Sequence, residues 1–281
     1  MTQPSETNAP SKDNAPSVLY AVSGAIATVT LNRPDLRNRL SPDAMVMTRE
    51  FFEQATMDPV VRVIIITGVG NTFCSGADLS AATSAETSQG SFVSSGPAEL
   101  VKLLRVLMDC PKVTIARVQG HVAAGGNGIV ASCDIAIAVD EAKFAFSEVR
   151  LGLAPAVISV PCLAVMNRRD AQELLLTGDR MDAARALRAG LITSVVASDT
   201  LDAEVDRYCS MLTLAGPQAM GHTKELLRRI PKLPRDEGFE WASTLSAEVF
   251  ASPEGQEGMS AFLEKRSPMW VPNAREGEAT S

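Results

Sequence analysis

Val63–Leu79, VIIITGVGNTFCSGADL, and Ala116–Ala138, ARVQGHVAAGGNGIVASCDIAIA, decide how this chain is read. Each sets a β-branched or small apolar run ahead of a turn rich in glycine, as expected of a buried strand that delivers its chain to a tight turn. Neither turn has the spacing of a dinucleotide loop (GxGxxG) or of a phosphate loop (GxxxxGK[ST]). Small side chains in Ser75-Gly76-Ala77-Asp78 and Ala124-Gly125-Gly126-Asn127-Gly128 let another molecule approach the bare backbone, and a helix starting at Gly125 leaves its first N–H groups without intrahelical partners. Two such donors converging on one point would make an oxyanion hole. Taken singly, each turn reads equally as a close-packed corner with no chemistry.

Working outward, Val18–Leu31 alternates around Ser23-Gly24 and predicts a β-hairpin. Ser41 caps a predicted helix with Pro42 in its first turn and Ala44, Met45, Thr48, Phe51, Phe52 and Ala55 on one face, stopping near Asp58-Pro59. Strands are expected at Val61–Thr67, Val113–Val118 and Asp134–Val139, with a helix at Pro97–Cys110 between the first two. That alternation implies an α/β core whose parallel strands are covered by helices. Ser80–Gly96 is expected to be a mobile surface loop. From Arg169 onward the pattern is helical: Asp182–Ala189 ends at Gly190, and Pro217 opens a helix carrying Ala219, Met220, Thr223, Leu226, Leu227 and Ile230.

Composition narrows the function. The chain has 281 residues, 33 acidic against 26 basic, for a net charge of -7, so no basic stripe suited to a nucleic acid is expected. Its five cysteines, Cys74, Cys110, Cys133, Cys162 and Cys209, lack CxxC spacing and read as buried thiols of a reducing cytoplasm. No metal site is expected, and the only histidines, His121 and His222, read as packing or surface residues. No run reaches the ~20 apolar residues of a membrane span. Residues 1–17 are read as a disordered tail without a targeting signal, and 271–281 as a frayed end.

The two glycine-bearing segments, the following Phe144–Ala156 (FAFSEVRLGLAPA), the opening LNRPDLRN, the LTGDRMDAARALRAGLITSVV segment and the closing EGMSAFLEKRSPMW together resemble the crotonase superfamily of enoyl-CoA hydratases and isomerases, from about Val18 to Trp270. The resemblance implies a spiral of ββα units over residues 18–200 and a helical trimerisation region over 201–270, in a homotrimer or a hexamer. It implies an acyl-CoA substrate, no cofactor beyond that coenzyme A moiety, and oxyanion donors at the backbone N–H groups of Ala77 and Gly125. Glu148 falls on the family's catalytic glutamate, where burial would lift a carboxyl toward the proton-transfer range. On residues alone it reads more readily as a surface acid paired with Arg150. Coenzyme A contacts are implied at Leu36, Asp78 and Leu79, with Phe262 and Lys265 reaching the nucleotide end, usually in a neighbouring subunit. Two departures stand out: Gly128 replaces the second glutamate of two-acid hydratases, and Arg39 replaces a residue that is usually small. The expected activity is reversible hydration of a trans-2-enoyl-CoA by a single acid; the alternatives are a 3-enoyl to 2-enoyl isomerase, which needs one base and no water, and a non-catalytic acyl-CoA-binding protein.

Overall fold

The computed structural model describes residues 15–78 and 89–271, with the side chains of 89–95 left out. β1 (Val18–Ser23) and β2 (Ile26–Leu31) form the expected antiparallel hairpin, turning at Gly24 with φ +54°. β2 then pairs in parallel with β3 (Val63–Gly68), β3 with β5 (Val113–Val118), β5 with β7 (Ile135–Val139), and β7 with β10 (Ser194–Val196). Every residue of β3 is buried, as a strand covered on both faces requires.

A second sheet runs beside the first. β4 (Thr72–Cys74), β6 (His121–Ala123) and β8 (Lys143–Ala145) are parallel, and β9 (Arg180–Asp182) closes the edge antiparallel to β8. Each turn of chain therefore lays one strand in the large sheet, bends within a few residues, lays a short strand in the small sheet and returns through a helix. The spiral of ββα units expected from the resemblance is present.

Helix α1 (Pro42–Met57) is capped by Ser41, whose hydroxyl accepts the Ala44 N–H at 3.3 Å, and it buries Ala44, Met45, Thr48, Phe52 and Ala55. The next helix, α2 (Gln89–Asp109), packs against α1 and begins well before the expected Pro97. Gln89–Gly96 is thus helical where a loop was expected, since propensity over a Ser/Gly-rich run is only a weak prior; residues 80–88 lie outside the described residues. α3 (Gly125–Ser132) is buried along its whole length.

α4 (Ala156–Val165) and α5 (Arg168–Thr177) follow, and the stretch after Arg169 also needs correcting, since β9 separates α5 from α6 (Ala183–Arg188) and β10 separates α6 from the later helices. Three-residue strands are too short to show alternation in a sequence. Asp134 leaves the third predicted strand, its Oδ2 accepting the Thr114 N–H at 2.7 Å and binding Lys224 Nζ at 2.6 Å.

Helix α7 (Leu201–Thr213) buries Leu201, Val205 and Cys209 against β3, β5 and β7. α8 (Pro217–Arg229), α9 (Arg235–Ala251) and α10 (Pro253–Glu264) follow, and Trp270 ties the end back by donating from Nε1 to the Leu214 carbonyl at 3.1 Å. No helix among the described residues is long and apolar enough to cross a membrane.

Candidate active site

Three turns of the spiral deliver their loops to one cavity of about 430 Å³. The turn after β4 brings Ser75 and Ala77, the turn after β6 brings Ala124 and Gly125, and the segment after β8 brings Ser147 and Glu148. Leu40, Met45, Leu100, Leu151, Leu153, Val157 and Ile158 make the rest of the wall largely aliphatic, and Glu148 is the one ionisable side chain among the described lining residues. Ala77, Gly125 and Glu148, far apart in sequence, are brought together.

Backbone pairing leaves Ala77 exposed to this space. Leu40 and Ala77 form a lone parallel bridge in which Leu40 donates to the Gly76 carbonyl at 2.8 Å and Asp78 donates back to the Leu40 carbonyl at 3.3 Å. A parallel bridge uses the groups flanking its central residue, so the N–H of Ala77 points away from Leu40. Gly125 is the first residue of α3, and its N–H belongs to the turn that has no intrahelical acceptor. Ala124, just before it, holds φ 46° and ψ -120°, a conformation natural to glycine and strained for alanine.

Contact between the two turns demands glycine at 76. Its φ is +90°, and a Cβ there would lie 2.6 Å from the Ala124 Cβ and 3.2 Å from the Gly125 nitrogen. A side chain would push the two N–H groups apart.

Glu148 sits in a 3-10 turn, Ser147–Leu151, that follows fully buried Phe144 and Phe146. Its Oε2 is buried with no hydrogen-bond partner, and burial pushes its pKa up, only partly offset by a backbone hydrogen bond. The pairing with Arg150 that the sequence left open does not form: Arg150 donates to the Thr177 carbonyl at 3.1 Å and to Asp179 at 3.2 Å. Arg150 points to the α5 side, which frees Glu148 for the cavity.

Position 128 lies in the first turns of α3 and is walled off. A Cβ at Gly128 would stand 2.7 Å from Ile158 Cγ2 and 3.3 Å from Leu104 Cδ1, so the Ile158 side chain occupies the space an acid would need. Cys162, buried beside it, donates its thiol to the Asn127 carbonyl at 3.6 Å, and burial together with the Glu148 charge raises its pKa. Cys74, fully buried, is pushed up to about 12 by burial, the state of a packed thiol rather than a nucleophile.

The other predicted contacts are dispersed. Leu36 ends a 3-10 turn, Pro34–Leu36, in the loop that carries Leu40; Asp78 follows Ala77; Leu79 lies outside the described residues. Phe262 and Lys265 stand at the end of α10, with Phe262 82% exposed and neither lining the cavity of their own chain. His121 accepts the Lys143 N–H at 3.2 Å, and His222 lines a separate cavity of about 470 Å³ beside α8. Sequence reasoning missed Ile158 and Leu104 as the wall over Gly128; an apolar AVIS run just after the Glu148 turn is the only signal it held.

A twin-sheet spiral brings the backbone of Ala77 and Gly125 and one partly buried carboxyl to a largely aliphatic cavity, an arrangement able to polarise a carbonyl beside a proton acceptor. The chain belongs to the enoyl-CoA hydratase/isomerase family, whose profile matches residues 21–273. It is 34% identical to enoyl-CoA hydratase EchA19 of Mycobacterium tuberculosis, over 91% of this chain and 97% of the relative. With a carnitinyl-CoA dehydratase of Citrobacter koseri it shares 33% identity over 90% of this chain and 98% of the relative. An enoyl-CoA hydratase structure from Mycobacterium smegmatis superposes with a TM-score of 0.85 at 32% identity, covering 92% of this chain and all 100% of the other. Human enoyl coenzyme A hydratase domain-containing protein 3 gives 0.86 at 28% identity, over 91% and 100%. The crotonase fold expected from the sequence is the fold of this chain.

Proposed function

We propose that the protein hydrates a trans-2-enoyl-CoA reversibly, with Glu148 as its single acid and base. The observation that carries this reading is the Glu148 carboxyl, its Oε2 buried without a hydrogen-bond partner, lining the same cavity as Ala77 and Gly125. In this reading the thioester oxygen sits between those two donors and gains enolate charge as water attacks C3. Glu148 takes the proton of that water and returns it to C2, so one carboxyl serves both halves of the addition. An oxyanion donor is worth about 10²–10³ in rate and a positioned acid-base about 10²–10⁴.

Relatives named as enoyl-CoA hydratases and a dehydratase support addition or removal of water. Coenzyme A would lie along Leu36, Asp78 and Leu79, with Phe262 and Lys265 offered by a neighbouring subunit of a homotrimer or hexamer in the cytoplasm. Exposed Leu227, Phe239, Phe250 and Met259 on the C-terminal helices support such an assembly.

A second reading, 3-enoyl to 2-enoyl isomerisation, is favoured by the Ile158 side chain over Gly128. With an aliphatic wall there, a carboxyl that removes the C2 proton and returns it at C4 meets no competing acid. Mass spectrometry of crotonyl-CoA and 3-hexenoyl-CoA incubated with wild type and Glu148→Gln separates the readings. Gain of one water on crotonyl-CoA, lost in the variant, is the expected result; an isomerised hexenoyl product of unchanged mass would make it an isomerase. Acyl-CoA binding with no Glu148-dependent change on any acyl chain would leave a binding protein.

A further inference from the structure

The loop after β2 meets the Ala77 turn through the Leu40–Ala77 bridge, one of whose two hydrogen bonds is long at 3.3 Å, and through the Ser75 N–H, which donates to the Arg37 carbonyl at 3.1 Å. A lone bridge outside any ladder has no neighbouring rungs to hold its register. Two things stiffen it. Asn38, 2% exposed and in the left-handed region at φ 52°, donates from Nδ2 to the Val69 and Thr72 carbonyls at 3.0 and 2.7 Å and accepts the Arg33 N–H at 2.8 Å. That fixes the loop from behind and sets the direction in which the next residue leaves. Arg39 then reaches across the bridge and places Nε 3.0 Å from Asp78 Oδ2, with the carboxylate side chain only 13% exposed. Arg39 and Asp78 each adjoin a bridge partner, so the ion pair spans the same gap as the bridge itself.

We propose that the Arg39–Asp78 pair is the positioning device for the Ala77 N–H. The inference rests on the reading of that N–H as an oxyanion donor. Arg39 touches neither the reacting atoms nor Glu148; it acts through Asp78, whose peptide carries the chain on from Ala77. Exposed ion pairs contribute little, but this carboxylate is largely withdrawn from water, so removing a cation 3.0 Å from it disturbs the charge balance of the turn that carries Ala77.

The test uses Arg39→Ala, Arg39→Lys and Asp78→Asn in the full chain, with two readouts: steady-state kinetics on crotonyl-CoA, and the thioester carbonyl stretch of bound, unreactive butyryl-CoA by infrared difference spectroscopy. Arg39→Ala is expected to lower kcat about tenfold, a part of the loss that removing a donor outright causes. KM should change less than about twofold, since an interaction realised only in the transition state affects kcat. The carbonyl band should move back toward its frequency in free butyryl-CoA, Asp78→Asn should shift the band in the same direction, and Arg39→Lys should recover part of the loss in kcat and of the band shift. A raised KM with unchanged kcat and an unmoved carbonyl band would make Arg39 a contact for the coenzyme and overturn the proposal. A wild-type band that already matches free butyryl-CoA would instead overturn the oxyanion reading beneath it.

Discussion

Glu148 shows most sharply how one side chain takes its chemistry from its surroundings. Nothing in Ser147-Glu148-Val149-Arg150 distinguishes a cavity carboxyl from a surface ion pair, and the choice turns on Arg150 pairing with Asp179. A carboxyl whose pKa rises above its ordinary 4.5 on folding binds more protons folded than unfolded, so it destabilises the fold as pH climbs through the interval above that value. Glu148→Gln is therefore expected to melt higher than wild type at neutral pH, with the difference shrinking as pH falls to the ordinary carboxylate range. Thermal melts across pH check it; activity, which needs the ionised base, should rise with pH over the same interval. Gly128 was legible as a missing acid, but that Ile158 fills its place is visible only once α4 is seen packed on α3.

At the scale of elements, the turns after β4 and β6 work as one unit because their backbones touch. Gly76→Ala meets both a positive φ and a Cβ 2.6 Å from Ala124. The expected cost is roughly 1–3 kcal/mol of stability, with kcat falling further than melting temperature explains, because the shift separates two donors. Denaturant melts and kinetics on the same preparation check it. Helix α1 was readable down to its cap and its buried face, since a Ser-Pro start and a 3.6-residue apolar period are local signals. β4, β6, β8, β9 and β10 were not, because strands of three residues carry no period and exist only through their partners. The early start of α2 runs through Ser and Gly, residues of weak helix preference.

For the whole molecule, the unfinished business lies in the C-terminal helices. α8 has no buried residue in the single chain, Leu227 is 73% exposed and Phe239 71%. Apolar area of this kind is ordinarily covered in an assembly. Light scattering is expected to give a mass three or six times the 29.8 kDa of one chain, and Phe239→Glu combined with Phe250→Glu to lower it. A monomeric wild type would show that the exposed residues serve something else and that Phe262 and Lys265 reach no neighbour's site.

The sequence by itself determined an α/β core, since buried parallel strands, glycine turns and a cap are written in local residue types and their order, and its resemblance to the crotonase superfamily pointed to the spiral and to Ala77, Gly125 and Glu148. Tertiary structure alone decided the chemistry of that cavity. The raised pKa of Glu148, the apolar cover on Gly128 and the Arg39–Asp78 strap beside Ala77 each depend on groups distant in the chain. Burial and hydrogen-bond partnership are properties of a neighbourhood, and a neighbourhood exists only after the spiral has closed.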